Sequence, residues 1–175
     1  MDLSISTRRL TLRPPVETDL EGWAALDADA RATQFIGGRQ DRNASWQGLA
    51  TAAGMWALRG LGLFSVLERD TGRWVGRVGP WVPEGAIGTE VGWAIAPAAW
   101  GKGYAVEAAA AAIDWAFDHL GWTQVIHCID APNTPSISVA TRLGSSWLRA
   151  DREADGKSVE VYGQSRDQWR AGLRP

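Results

Sequence analysis

The stretch Glu90-Val91-Gly92-Trp93-Ala94-Ile95-Ala96-Pro97-Ala98-Ala99-Trp100-Gly101-Lys102-Gly103-Tyr104-Ala105 decides how this chain folds. Thr89 to Ile95 has the composition and period of a strand, and Pro97, which lacks a backbone donor, stops it. From Gly103 to Leu120 the period changes. Val106, Ala109, Ala110, Ile113, Phe117 and Leu120 recur three and four apart as one apolar stripe, while Glu107, Asp114 and Asp118 are expected on the opposite, solvated side. Gly121 ends that helix. The handover from strand to helix is Gly101-Lys102-Gly103. The first N–H groups of a helix have no internal partner, and the helix dipole adds partial positive charge there. Flanking glycines let the backbone wrap an anion and aim successive N–H groups at it. A diphosphate suits such a nest, with Lys102 adding charge at its rim.

Other readings of the glycine pair are open at this level. A P-loop needs Gly-x4-Gly-Lys-Ser/Thr, which is absent. A dinucleotide fingerprint, Gly-x-Gly-x-x-Gly/Ala, meets Val106 at its third position and leaves too little chain for a nucleotide domain. A plain helix-capping turn without a ligand explains the glycines as well.

Upstream, Arg9 to Arg13 alternates as a strand closed by Pro14-Pro15. A helix follows from about Thr18, with Leu20, Trp23, Ala24 and Asp27 in helical register, and Gly37-Gly38 breaks the region. A second helix is expected from near Ser45 to Arg59, ended by Gly60. Leu63 to Arg69 and Arg73 to Val78 read as strands joined at Asp70-Thr71-Gly72. Downstream, Gln124 to Asp130 is an apolar strand. A helix from Thr134 to Leu143 has Asn133 as N-cap and Pro135 in its first turn, and Trp147–Ala150 and Ser158–Tyr162 form a last hairpin. The order predicts a mixed α/β sheet in one domain spanning residues 1–175, with Thr89–Ile95 and Gln124–Asp130 as parallel neighbours across a right-handed crossover.

Composition narrows the function. The 175 residues are 45% apolar and 22% charged, with a net charge of −2, which argues against binding nucleic acid through phosphate neutralisation. A single cysteine, Cys128, permits no intrachain disulfide and no cysteine-based metal cluster. Two histidines make a histidine-rich zinc site implausible, so no metal is expected. The N-terminal stretch lacks the pattern of a signal peptide, and no apolar run approaches the roughly 18 residues of a membrane span; a reducing cytoplasm fits this set. Among the eleven tryptophans, Trp23, Trp46 and Trp56 are candidates for an acceptor groove, with core packing as the plainer account.

The glycine turn has company. The strand Glu90–Ile95, Pro97, the Trp100–Ala105 turn and Glu107-Ala108 together resemble the core of the GNAT N-acetyltransferase superfamily, and within it the RimJ/RimL type, whose founding members acetylate N-termini of ribosomal proteins. Asn133-Thr134-Pro135-Ser136, in a helix ending Leu143-Gly144, resembles the family's second signature. Thr7-Arg8-Arg9-Leu10-Thr11-Leu12-Arg13-Pro14 with Thr18-Asp19 resembles its opening. The resemblance runs from about residue 5 to 164. It implies a mostly antiparallel sheet flanked by helices, with two splayed parallel strands whose V admits acetyl-coenzyme A. It also implies contacts of Trp93, Ala94 and Ile95 with the pantetheine arm, and a diphosphate on Gly101, Lys102, Gly103, Tyr104 and Ala105.

The same resemblance implies direct transfer of acetyl to a primary amine, either a protein N-terminus or a small molecule, in a ternary complex. No nucleic acid or membrane partner is implied, and a homodimer is compatible with it. A backbone N–H near Trp93 or Ala94 is the expected oxyanion donor, and Glu90 is the candidate general base, with Glu153 and Asp155 as fallbacks. The tyrosine that many members place seven residues after the asparagine is Ala140 here, which leaves Ser136 as the candidate acid and Asn133 as a contact to cofactor or water. His127 reads as a satisfied strand histidine. The family's Leu-Gly-Phe becomes Leu143-Gly144-Ser145, with Trp147 as the expected replacement for the aromatic. A non-catalytic acetyl-coenzyme A sensor on the same fold is the alternative, motivated by Ala140.

Overall fold

The structure is a computed structural model and describes residues 3–172. Eight strands form two sheets. The first holds β1 (Ile5–Ser6), β2 (Leu10–Arg13), β3 (Phe64–Glu68), β4 (Trp74–Pro80) and β5 (Val91–Ile95) in that order, all antiparallel. The second holds β6 (Gln124–Ile129), β8 (Ser158–Ser165) and β7 (Ser146–Arg152), with β8 in the middle. The helices are α1 (Leu20–Ala28), α2 (Ala30–Thr33), α3 (Arg42–Arg59), α4 (Tyr104–His119), α5 (Thr134–Arg142) and α6 (Arg166–Gly172).

The two sheets meet where β5 and β6 begin. A single parallel bridge joins Glu90 to Ile126, and the Ile126 N–H donates to the Thr89 carbonyl at 3.0 Å. Beyond that point the strands separate. The expectation of parallel neighbours holds for that one bridge, and the splay implied by the family resemblance is present. The strand itself starts at Val91, two residues later than its composition suggests, because Thr89 and Glu90 are engaged with β6.

Local chemistry accounts for the elements. Asp41 caps α3 by accepting from the Ala44 N–H, so the helix begins a turn before the expected Ser45, and Gly60 closes it with φ +68°. Gly72 makes the β3–β4 turn with φ +69°. Helix α4 buries Ala108, Ala109, Ala112, Ile113, Trp115, Ala116 and Phe117. Its alanines let it lie close on the sheet, where Ile113 and Phe117 join Leu10, Leu12, Phe64, Val66, Val75, Val78 and Val91 in the main core.

Two sequence expectations, on Glu107 and Trp147, need correction. Glu107 is not a solvated residue. It accepts from Thr7 Oγ1 (2.6 Å), the Arg9 N–H (2.8 Å) and Arg9 Nε (2.7 Å), fastening α4 to the β1–β2 turn. For two of the three groove candidates the plainer packing account holds: Trp56 packs in the core against Phe64 and Trp115, Trp46 is exposed on the surface, and neither lines a groove. Trp147 is 55% exposed and replaces no core aromatic. Strand β1 and helices α2 and α6 are additions, too short to carry a periodic signal. Helix α6 is held by Trp169, which is buried and donates Nε1 to Asp114 at 2.8 Å.

Candidate functional site

The splay between β5 and β6 opens into a cavity of about 340 Å³. One wall is the β5 segment Glu90–Ala94, and another is the β6 end from His127 to Asp130 with Asn133 and Ser136. Trp23 and Asp27 of α1, Phe35 and Ile36, Arg77 of β4 and Trp81 just beyond its end close the remaining side. Trp23 alone of the three groove candidates lies here. Asp27, Arg77 and Trp81 were not singled out from the sequence, although Asp27 shares a helical face with Trp23 at i, i+4.

Strand register settles which backbone groups face the opening. Trp81 N–H donates to the Glu90 carbonyl and Ala96 N–H to the Val75 carbonyl, both at 2.9 Å. Antiparallel pairing alternates, so with Gly79 opposite Gly92 and Arg77 opposite Ala94, the amides of Gly92 and Ala94 are committed to β4. The backbone groups of Val91, Trp93 and Ile95 point the other way, into the V. His127 and the Trp100 indole take two of these carbonyls: His127 Nδ1 lies 2.7 Å from Val91 O, and Trp100 Nε1 donates to Ile95 O at 2.7 Å. That leaves the N–H and C=O of Trp93 and the N–H of Ile95 on the open edge. The expected oxyanion donor is thereby narrowed: the Trp93 N–H is available and the Ala94 N–H is not.

Past β5, Pro97–Ala99 make a 3-10 turn and the chain enters α4 through Gly101 (φ +74°) and Gly103 (φ +76°), which stands at the N-cap. Among the described residues, the N–H groups from Gly101 to Val106 have no hydrogen-bond partner; the first bonded amide of the helix is that of Glu107, to the Gly103 carbonyl. A Cβ built on Gly101 would meet nothing within 4 Å, so the space over this nest is open. Lys102 lies at the rim but is turned to Glu68 (3.3 Å), which also receives Arg73 (2.8 Å) and the Tyr104 hydroxyl (3.1 Å). Arg9 covers the Tyr104 ring.

At the vertex, Glu90 accepts from the Cys128 N–H at 3.4 Å, and its Oε1 lies 3.7 Å from where a Gly92 side chain would begin. Glu90, Gly92 and Ala94 share a face, as the alternation predicts. Burial pushes the Glu90 carboxyl up to about 7, with the nearby Glu153 carboxylate adding to the rise. Burial likewise raises Glu153, and raises the Cys128 thiol strongly, helped by the Glu90 charge. The ligand atoms of Glu90, Cys128 and Glu153 lie within 4.8 Å of one another, a closeness the sequence did not suggest. With two carboxyls and a thiol all shifted toward their protonated forms, the trio has the character of a proton-holding cluster. Asp155, in contrast, sits at the β7–β8 turn, accepts from the Lys157 N–H and does not line the cavity.

His127 is 1% exposed and neutral, its pKa lowered by burial to about 4. Since Nδ1 faces a carbonyl it carries the proton, and Nε2 accepts from Ser145 Oγ at 3.0 Å. Ser145 in turn accepts from Gln164 Nε2 at 3.0 Å. This chain of bonds ties β5, β6 and β8 together at the splay and gives Ser145 its purpose: a polar strut stands where the family carries an aromatic. The Trp93 ring packs on His127 with centroids 4.8 Å apart and donates Nε1 to Ser136 Oγ at 3.3 Å. The Ser136 hydroxyl proton is therefore free to point elsewhere. Asn133 Oδ1 caps α5 by accepting from the Ser136 N–H at 3.2 Å, which leaves its amide NH2 toward the cavity it lines. Ala140 is fully buried and offers no acid.

A splayed pair of strands ending in an unpaired amide nest is the architecture of acyl-coenzyme A transferases of the GNAT type, and comparison with known proteins agrees. The family model described as "Acetyltransferase (GNAT) domain" matches residues 9–146. The chain belongs to the GNAT acetyltransferase family. It is 32% identical over 105 residues to the uncharacterized protein YkkB of Bacillus subtilis, a match covering 59% of this chain and 60% of that protein's length. The crystal structure of an acetyltransferase from Agrobacterium tumefaciens superposes with a TM-score of 0.84 at 28% identity, covering 94% of this chain and 95% of that one. The RimL ribosomal L7/L12 alpha-N-protein acetyltransferase in complex with coenzyme A shares the fold, with a TM-score of 0.78 at 14% identity over 95% and 99% of the two chains. No helix among the described residues is long and apolar enough to cross a membrane.

Proposed function

We propose that the protein, acting as one domain over residues 1–175, moves an acetyl group from acetyl-coenzyme A directly to a primary amine in a ternary complex, in a reducing cytoplasm. The observation that carries this reading is the run of partnerless amides from Gly101 to Val106 at the end of a strand whose outer edge is also open. Two glycines at positive φ keep the main chain bare there, which fits a diphosphate held by N–H groups and the helix dipole. Ile95 N–H and the Trp93 backbone groups suit the amides of a pantetheine arm. No metal takes part in this scheme.

Bound acetyl-coenzyme A supplies an activated thioester; the chain supplies placement and proton handling. The amine nitrogen forms the new C–N bond as the C–S bond breaks, and the nitrogen's surplus proton passes to Glu90, directly or through one water. A carboxyl titrating near 7 is matched to that task. The Trp93 N–H faces the charge that develops on the carbonyl oxygen. The departing sulfur accepts a hydrogen bond from the Ser136 hydroxyl, which the Trp93 indole leaves free by donating to the same oxygen; coenzyme A leaves as a thiolate that takes its proton from water, and Glu90 returns the amine's proton to solvent. Asn133 offers its NH2 to the thioester end of the arm. A thiolate is a tolerable leaving group, since an ordinary thiol titrates near 8.5, so a serine suffices where other members use tyrosine.

The test is to mix the protein with acetyl-coenzyme A and a panel of amines that includes peptides with free N-termini, and to follow thiol release. Acceptor-dependent release, abolished when Gly103 becomes Asp, supports the reading. Tight coenzyme A binding without release from any acceptor supports the sensor alternative instead.

A further inference from the structure

The wall of the cavity formed by α1 and β4 contains a feature that acetyl transfer alone does not require. Among the described residues, two buried side-chain nitrogens lack any hydrogen-bond partner, Trp23 Nε1 and Arg77 Nη1, and both residues line this same cavity. Trp23 is 3% exposed. The Arg77 guanidinium lies 4.3 Å over the Trp23 ring, and its other terminal nitrogen donates to Asp27 at 2.8 Å. Such orphans are rare in folded proteins, and a pair of them side by side at a cavity wall calls for a partner. Neither has surface open to the cavity as the pair is stacked, so a small rotation of Trp23 and Arg77 toward it is what presents them to something that arrives.

We propose that Trp23 and Arg77 form an acceptor-recognition subsite that hydrogen-bonds a carbonyl or carboxylate oxygen carried by the amine substrate, so that the acceptor is an amino-acid-like or peptidyl amine and not a plain alkylamine. The inference deepens the acetyl-transfer reading and rests on it. Asp27 already balances the Arg77 charge, and neither orphan nitrogen can act as an acceptor, so what they call for is an oxygen and not a second cation. Placement agrees. Arg77 stands opposite Ala94 and Gly79 opposite Gly92, where the Glu90 carboxylate lies, so Arg77 is two residues along the sheet from the proton acceptor on the same face. That is roughly 7 Å along the strand, within the span of one or two amino-acid units at ~3.6 Å each. Apart from Gln40, the rest of this wall is apolar, with Phe35, Ile36, Leu63 and Trp81, and suits a side chain more than a solvated ion.

The experiment uses three compounds with one ring and one amine: phenylalaninamide, phenylalanine and phenethylamine, which lacks the oxygen. Each is titrated into protein saturated with coenzyme A, with the Trp23 indole N–H resonance assigned through Trp23→Phe. A site built on hydrogen-bond donors discriminates strongly against an analogue that leaves them unpaired. At least one oxygen-bearing compound is expected to bind about ten-fold or more tightly than phenethylamine, to shift the Trp23 resonance, and to lose its advantage in Trp23→Phe while coenzyme A affinity stays unchanged. Preference for the amide assigns a peptide carbonyl, and preference for the free acid assigns a carboxylate. Equal or tighter binding of phenethylamine, an unmoved Trp23 signal, a preference that survives in Trp23→Phe, or no binding by any of the three overturns the subsite. Failure of coenzyme A itself to bind overturns the acetyl-transfer reading and the subsite together, which separates the two failures.

Discussion

The two ends of the cleft are built from different materials. At the α4 end the groups that fit a diphosphate are main-chain amides, six in succession, and the side chains nearby are turned to one another: Lys102, Arg73 and Tyr104 to Glu68, Arg9 to Glu107. At the α1 end the polar groups are side chains, Glu90, Arg77, Asp27 and Trp23, brought from α1, β4 and the head of β5. In the proposed reading the backbone end serves a group common to every acyl-coenzyme A and depends little on side-chain identity; the Trp100 side chain there is engaged with Ile95 O. The side-chain end is where the proposed subsite puts acceptor choice, and each change there has its own expected consequence.

The sharpest way to break this contrast is Gly103→Asp. It forces a side chain onto φ +76°, where its Cβ lies 3.5 Å from Arg9 Nη2, and adds a negative charge at the start of the helix that forms the nest. Coenzyme A affinity is expected to fall by about 100-fold or more, since charge and backbone act together, as read by titration calorimetry; unchanged affinity breaks the backbone account of the nest. Glu90→Gln is the counterpart at the other end. Coenzyme A binding should persist while transfer falls on the order of 100-fold for a lysine-like amine and less for an α-amine, whose pKa near 8 leaves more of it neutral. In the wild type, transfer to such an amine should rise with pH through about 7 as Glu90 loses its proton.

Stability offers a second handle on the same vertex, with opposite signs. Glu90 titrates higher folded than unfolded, so between its ordinary range and about 7 the native state binds more protons, and its charging costs stability as pH rises. Glu90→Gln should therefore raise stability at pH 8 by about 1–3 kcal/mol in urea unfolding, even as activity drops. His127 titrates lower folded than unfolded. The unfolded state binds the proton first, so stability is lost as pH falls from about 6.5 toward 4, on the order of 2–3 kcal/mol. A His127→Gln variant should show a flatter acid limb in the same measurement. The smallest effect is expected from Ser136→Ala. Transfer should slow by roughly 3- to 10-fold, because thiolate departs without a strong acid, and cofactor affinity should not change. A wild-type rate removes Ser136 from the proton path.

Much of the α4 end could be read from the sequence, because a strand, a glycine turn and an amphipathic helix are consecutive in the chain. The splay itself followed from resemblance, not from periodicity: alternation in Thr89–Ile95 says which face a residue takes but not that pairing with β6 stops after Glu90–Ile126. Burial of Glu107 was misread because an acid on a polar helical face looks the same whether water or Arg9 receives it. The places of Trp46, Trp56 and Trp147 are hidden in the sequence for a related reason. A tryptophan fits core, cavity or surface, and only packing against Phe64 and Trp115 reveals which one Trp56 takes.

Sequence alone determined what is local and repetitive: the order of strands and helices, the bare glycine turn, the capping of α5 by Asn133 and a histidine suited to a strand. Tertiary structure decided what depends on residues distant in the chain. It committed the Ala94 amide to β4 and freed that of Trp93, gave His127 its partner in Ser145, and set Arg77 over Trp23 beside Glu90's face. The physical reason is that hydrogen-bond partners and burial are properties of pairs, and a linear pattern carries them only when both members lie within a turn or two of each other.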